Sequence, residues 1–284
     1  QVGKKYNEVI KRWLWLEDMP SDLAETRMLS WDPKELKKST DVKLVLSLLP
    51  KNLAREIDPK FAQAGIPVVS DSPGMRDHED IPNIVPEINS DHLSILESQM
   101  QKRNWKSFLI TSPLCTATIL AMSLKPIVDS FGLKSVFVVT AQALSGAGYE
   151  GIPALAILDN MIPYIGNEEN KMDDEIPKIF GKSINGRIIS SEFKISTTCT
   201  RINVSHGHTE SVFVETKKPV ELESLVKTFR DFKSEPQKLE LPSAPKQPIL
   251  VREEPDRPQP RLDREVNKGM GIVVGRIRKE TVFD

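Results

Sequence analysis

The stretch from Val42 to Ser70 restricts the fold of this chain more than any other. It opens with Val42-Lys43-Leu44-Val45-Leu46-Ser47-Leu48-Leu49, a β-branched and leucine run stopped by Pro50. That is the pattern of a strand buried on both faces in a parallel sheet. Residues 52–64 then read as a helix closed by Gly65, and Ile66-Pro67-Val68-Val69-Ser70 as a second strand. Strand, helix, strand in so short a span calls for a crossover and a parallel pair. The alternation continues with a helix over 91–102, a strand at Ser107-Phe108-Leu109-Ile110 and a helix over 117–131 that carries Pro126. An α/β layer of this kind presents ligands at the carboxyl ends of its strands.

The flanking regions differ in texture. Ahead of residue 42 the chain is mixed and charged, with an amphipathic helical stretch over 6–17 and a Pro20-Ser21-Asp22 helix-start signal. In the second half, residues 135–143, 187–191, 198–204, 211–216 and 270–278 read as strands, several with period-two alternation, separated by helices near 154–158 and 221–232. This predicts an α+β domain with a large mixed, mostly antiparallel sheet. Residues 241–260 are too proline-rich for a regular element and read as a long ordered loop or a dimer arm. The division falls between a first domain over 1–114 and a second over 115–284.

Composition narrows the partners. With 284 residues, 39% of them hydrophobic, a core forms without staples. Lys and Arg number 39 against 40 Asp and Glu, so no bulk positive field exists to hold nucleic acid or an anionic membrane. Two cysteines, Cys115 and Cys199, are too few for a disulfide framework or a four-thiolate metal site, which points to a reducing, cytoplasmic setting and no metal. No signal peptide and no run of eighteen apolar residues is present. Fourteen glycines against 21 prolines, in a chain that begins at Gln1, suggest that a glycine-rich N-terminal segment is missing.

Chemistry concentrates at Thr111-Ser112-Pro113-Leu114-Cys115-Thr116-Ala117. A cysteine placed after a strand and a proline turn, at the start of a helix, faces the helix's partial positive charge, which lowers its pKa and favours a nucleophilic thiolate. The competing reading is an inert buried cysteine. A partner base is offered by Arg201-Ile202-Asn203-Val204-Ser205-His206-Gly207-His208, where a strand arginine leads into a turn presenting imidazoles.

Four separated motifs now agree in order and spacing. They are the Pro113-x-Cys115-Thr116 turn, Gln142 to Gly148, Asn160 to Ile165 with Glu168 and Lys171, and Arg201 to His208. Together they resemble the aspartate-semialdehyde dehydrogenases of archaeal and fungal type, from about Gly3 to Arg278. Malonyl-CoA reductases look similar over the same motifs.

The resemblance implies an incomplete Rossmann-like nucleotide domain followed by a catalytic and dimerisation domain. The activity it implies is NADPH-dependent reduction of 4-phospho-L-aspartate to the semialdehyde with release of phosphate, on the route to lysine, threonine and methionine. By the same resemblance Cys115 is the nucleophile, His208 the general acid/base and Gln142 a residue lining the thiol pocket. Arg201 clamps the substrate carboxylate, Glu168 receives the ammonium, and Lys171 and Arg76 bind phosphate. A surface ion pair competes as a reading of Glu168 and Lys171, and a solvated loop position as a reading of Arg76. Ser145, Gly146, Gly148 and Ser70 touch the cofactor, and Gly3-Lys4-Lys5-Tyr6 favours NADP. A homodimer or homotetramer acting on a small molecule is expected, with neither nucleic acid nor membrane.

Two departures stand out. Leu114 and Ser112 occupy positions where the family carries asparagine, so backbone amides at the helix start must serve alone or activity is lost. The glycine-rich first turn and the C-terminal return segment of the family are also missing from the chain, which leaves open a non-catalytic homologue.

Overall fold

The computed structural model describes residues 1–10, 13 and 18–281. They form two compact units. The first comprises residues 1–75 and 96–110, and the second residues 76–95 with the chain from 111 onward. Of the predicted helix over 6–17, Tyr6–Val9 is helical, and most of the remainder lies outside the described residues.

β1 (Val45–Ser47), β2 (Val68–Ser70) and β3 (Leu109–Thr111), all but Thr111 in the first unit, lie side by side in that order. β1 and β2 are parallel, pairing Val45 with Val68 and Ser47 with Ser70. Between them runs α1 (Lys51–Gln63), which buries Ala54, Ile57, Asp58, Phe61 and Ala62, the i, i+3, i+4 stripe of an amphipathic helix. Gly65, at φ +83°, supplies the left-handed residue that turns the chain out of α1. Asp58 ties helix to sheet, since Ser47 Oγ and Ser70 Oγ each donate to one of its carboxylate oxygens at 2.6 Å. The strand run at Val42–Leu49 is shorter than expected and is not buried on both faces: Leu46 is 70% exposed and Leu48 80%. β1 is an edge strand, and no described residue covers that face. The expected helix over 91–102 begins as a 3-10 turn, Ser90–Ile95, and continues as α2 (Leu96–Arg103).

The second unit is built on α3 (Cys115–Phe131) and a three-stranded sheet in the order β7-β4-β8. β4 spans Leu133–Gln142, β7 Lys194–Arg201 and β8 Thr209–Thr216. β4 pairs parallel with β7 and antiparallel with β8, so the sheet is mixed but neither large nor mostly antiparallel. The parallel pair follows from the chain leaving β4 and returning through α4 (Glu168–Ile179), a crossover that an antiparallel hairpin does not need. β5 (Lys182–Ile184) and β6 (Arg187–Ile189) make a separate hairpin.

α3 buries Ala117, Leu120, Ala121, Leu124 and Ile127 against Val136 and Val138 of β4, Cys199 of β7 and Met172 and Ile176 of α4. Fully buried leucines such as Leu120 and Leu124 contribute roughly 1.5–3 kcal/mol each. Gly132, at φ +71°, ends α3 and turns the chain straight into β4. α5 (Leu222–Arg230) packs on α3 and on β9 (Ile249–Arg252).

The proline-rich stretch does contain a regular element. β9 fits between Pro248 and Pro255 and pairs parallel with β10 (Ile272–Gly275). Its prolines flank the ladder instead of interrupting it. Asp263 anchors the stretch, accepting from Arg252 Nε at 3.2 Å, Arg257 Nε at 2.8 Å and the Gln259 amide at 2.7 Å. Among the described residues no helix is long and apolar enough to cross a membrane.

The Arg257 guanidinium, ahead of the amide and Arg252, lowers the Asp263 carboxyl from 3.8 to about 2. A carboxylate depressed on folding adds stability that is complete above its unfolded value and is lost as pH falls through its folded value. For Asp263→Asn we expect a loss of about 2 kcal/mol at neutral pH, measured by urea unfolding. The gap to the wild type should be full above pH ~4 and close towards pH ~2.

Candidate active site

Cys115 is the first residue of α3, as its position after a strand and a proline turn suggested, and it is exposed. Its Sγ lies 3.2 Å from His208 Nε2. The amides of Thr116 and Cys115 lower the thiol's pKa as a helix start should, but the net shift is upward. Burial of the sulfur's surroundings is the main cause, with the Glu168 charge adding to it, and that of Glu210 where it is ionised. The helix position alone therefore predicts the wrong direction: the thiol is protonated at rest.

The imidazole is held from its far side. The Ala143 amide donates to His208 Nδ1 at 3.0 Å, so that nitrogen keeps its lone pair and the neutral ring carries its proton on Nε2, towards the sulfur. A doubly protonated ring would set a second N–H against the Ala143 amide. Burial, then the Arg201 charge, also depress the His208 pKa, with Glu168 opposing. The resting pair is thus a thiol beside a neutral Nε2–H imidazole, not an ion pair.

Arg201 closes β7 and is buried. Its Nη1 donates to the Ala143 carbonyl at 2.6 Å, so both polar groups of one peptide residue fix the two side chains. Arg201 Nε is buried without an acceptor, a donor positioned for an anion. Gly146 makes this closeness possible. A Cβ there would come within 2.6 Å of Arg201 Nη1 and 3.0 Å of His208 Cε1.

Gln142 closes β4, buried, and its Nε2 donates to Thr140 Oγ1 and to Glu168 Oε2, each at 3.3 Å. Glu168 opens α4 and its Oε1 lies 3.7 Å from Lys171 Nζ, the i, i+3 partner expected. These contacts link Cys115, His208, Arg201, Gln142, Glu168 and Lys171 into one constellation. The Ser145, Gly146 and Gly148 loop is exposed, and no atom lies within 4 Å of where a Cβ on Gly148 would sit.

Arg76 and Ser70 are placed differently. Arg76 is buried, its Nη1 3.4 Å from Glu175 Oε1, with each side chain only 7% accessible. Glu175 Oε2 in turn accepts from the Leu114 amide at 2.7 Å, next to Cys115. Ser70 belongs to the first unit, its hydroxyl committed to Asp58. Sequence reasoning missed Ala143, Glu175 and Lys178. Lys178 Nζ donates to the carbonyls of Arg76, His78 and Ile81, each at 2.7 Å. Burial lowers its pKa to about 8 against the pull of Glu175 and neighbouring acids. Nothing local marks Ala143, whereas Glu175 and Lys178 sit on the inward face of α4 where an apolar residue is the default.

Family models match on both sides of the chain: "Semialdehyde dehydrogenase, NAD binding domain" over residues 1–96, and "Semialdehyde dehydrogenase, dimerisation domain" over 124–284. An aspartate-semialdehyde dehydrogenase of Archaeoglobus fulgidus is 46% identical, across 99% of this chain and 79% of that protein. The chain belongs to the aspartate-semialdehyde dehydrogenase family. A crystal structure of a family member, the Candida albicans enzyme with NADP, superposes with a TM-score of 0.89 at 32% identity, over all of this chain and 81% of that one. A malonyl-CoA reductase (NADP) of Metallosphaera sedula is more distant, 36% identical over 98% of this chain and 78% of its own.

For a family member with this resting pair, Cys115 alkylation by iodoacetamide should rise once with pH, in the alkaline range. The near-neutral plateau of a thiolate–imidazolium pair should be missing. Replacing His208 by Ala removes the Nε2–H donor to the thiolate and should slow alkylation at pH ~8 about tenfold or more. Peptide-level mass spectrometry reads this rate separately from the buried Cys199.

Proposed function

We propose that this chain is an NADP-dependent aspartate-semialdehyde dehydrogenase, reducing 4-phospho-L-aspartate to L-aspartate 4-semialdehyde with release of phosphate in cytoplasmic amino-acid biosynthesis. The observation that carries the reading is the Cys115 Sγ to His208 Nε2 contact of 3.2 Å at the start of α3. The family match of the whole chain supports it.

The side chains divide the work. Arg201 Nε, buried and lacking an acceptor, suits the substrate carboxylate. Glu168, steadied by Gln142, receives the ammonium, and Lys171 takes the phosphate. Arg76 acts through Glu175 on the Leu114 amide, fixing the turn that presents Cys115. Leu114 carries no side-chain donor, so at the turn only the amides of Cys115 and Thr116 favour the thiolate and the developing oxyanion, beside the His208 Nε2–H.

The thiol gives up its proton to solvent at its exposed edge, stabilised as thiolate by the His208 Nε2–H. Sulfur attacks the acyl carbon, the carbon–oxygen bond to phosphate breaks, and a thioester forms with phosphate as leaving group. His208 donates a hydrogen bond from its single Nε2–H to the substrate oxygen as negative charge builds there and keeps that proton, so the oxyanion is stabilised without leaving an imidazolate. When bound, the nicotinamide supplies the hydride that takes the thioester to the aldehyde level. The carbon–sulfur bond then breaks and the sulfur leaves as thiolate under the same donors.

The residues present fit such a cofactor in part. Ser145, Gly146 and Gly148 form an exposed loop with free space at Gly148, whereas Ser70 offers only its backbone because its hydroxyl is bound to Asp58. The 1–96 match and the NADP-bound neighbour support the same assignment. In this reading residues 1–114 serve the cofactor and 115–284 the chemistry, with a homodimer or homotetramer assembled through the second part.

NADPH oxidation should depend on 4-phospho-L-aspartate and release one phosphate per turnover. Cys115→Ser should abolish it, and Arg201→Lys should raise KM for the acyl phosphate by one to two orders of magnitude. Turnover of malonyl-CoA in place of the acyl phosphate would overturn the reading in favour of a reductase of CoA thioesters.

A further inference from the structure

Glu210 is the second residue of β8, two places beyond His208. It stands opposite Thr140 on β4, and Thr140 stands opposite Cys199 on β7. Directly paired residues point to one side of a sheet. All three therefore share the face that packs under α3 and α4, with Gln142 and Arg201 as the next row. Thr140 and Cys199 on that face are fully buried. Although Glu210 as a whole is half-buried, both of its carboxyl oxygens are shut off from solvent and accept no hydrogen bond.

We propose that Glu210 keeps its proton beneath the Cys115–His208 pair at neutral pH, so that Glu168 is the nearby carboxylate whose charge bears on the sulfur while the site works. A buried carboxylate with no donor has nothing to offset its lost hydration, and it stays neutral instead. The charge inventory around it agrees. Cys199 stands beyond the uncharged Thr140 in its own row, Gln142 and Arg201 stand in the next, and His208 lies just ahead of its strand, while Cys115 feels the charges of Glu210 and Glu168, and Cys199 those of Glu210, Glu168 and Glu169. One cation stands among several acids or incipient anions. Burial raises the Glu210 carboxyl well above its ordinary value, and only once it ionises, in the alkaline range, does its charge raise the Cys115 thiol. The two losses of charge are reciprocal: ionising either group makes the other harder to ionise.

This proposal rests on Cys115 being the reactive thiol. Its test needs neither substrate nor cofactor, so its failure is distinguishable from failure of the dehydrogenase reading. The alkylation of Cys115 by iodoacetamide is followed across pH in the wild type and in Glu210→Gln, which keeps the shape and cannot ionise. The two rates should agree within about twofold near neutrality, and the variant should be roughly threefold to tenfold faster in the alkaline range, one unit of thiol pKa being worth tenfold. The infrared difference spectrum of the pair should show a protonated-carboxyl stretch in the wild type at neutral pH. Glu210→Asp, which retains an acid, gives the same spectral comparison if the glutamine variant does not fold. Superimposable alkylation profiles, or no protonated-carboxyl band that responds to substitution at 210, would overturn the proposal.

Discussion

The peptide of Ala143 is the point on which the site turns. Its amide fixes the His208 tautomer and its carbonyl fixes the Arg201 fork. These two contacts set which nitrogen carries a proton and which donor is left over for an anion. Ala143 occupies that position because β4 ends one residue earlier and the chain enters a 3-10 turn over Leu144–Ala147. The turn is in turn pinned by the Leu144 and Ser145 amides on the carbonyls of Val204 and Ser205. The catalytic geometry is thus a property of where a strand stops.

Local pattern carried some of this and could not carry the rest. The β-α-β alternation over 42–70, the start of α3 at Cys115 and the placing of Arg201 on a strand were legible because period, caps and breakers are local signals, although that strand runs over Lys194–Arg201 and not 198–204. A mixed sheet was expected, but the parallel pairing of β4 with β7 was not, since it depends on a crossover through α4 that no strand announces. Nor was the exposure of Leu46 and Leu48, because an apolar run shows affinity for a core without saying which faces are covered.

Among the site residues the same division holds. Cys115, His208 and Arg201 lie at element ends, where sequence signals are strongest, and they meet. Arg76 and Glu175 are 99 residues apart and Glu175 and Leu114 are 61 apart. At such separations only the folded chain shows that an arginine in a loop bears on the turn before the cysteine. The thiol's own shift makes the same point: its helix position lowers the pKa, while the surrounding fold raises it further.

Lys178 carries a consequence for how this chain can vary. One ammonium with three hydrogens is saturated by three carbonyls, those of residues 76, 78 and 81. The hydrogen bonds themselves do not depend on the loop's side chains, because only main-chain oxygens accept from the ammonium. They do depend on its spacing. An inserted or deleted residue between 76 and 81 leaves a buried charge with an empty direction. The loop's length is thereby dictated from a helix about a hundred residues downstream.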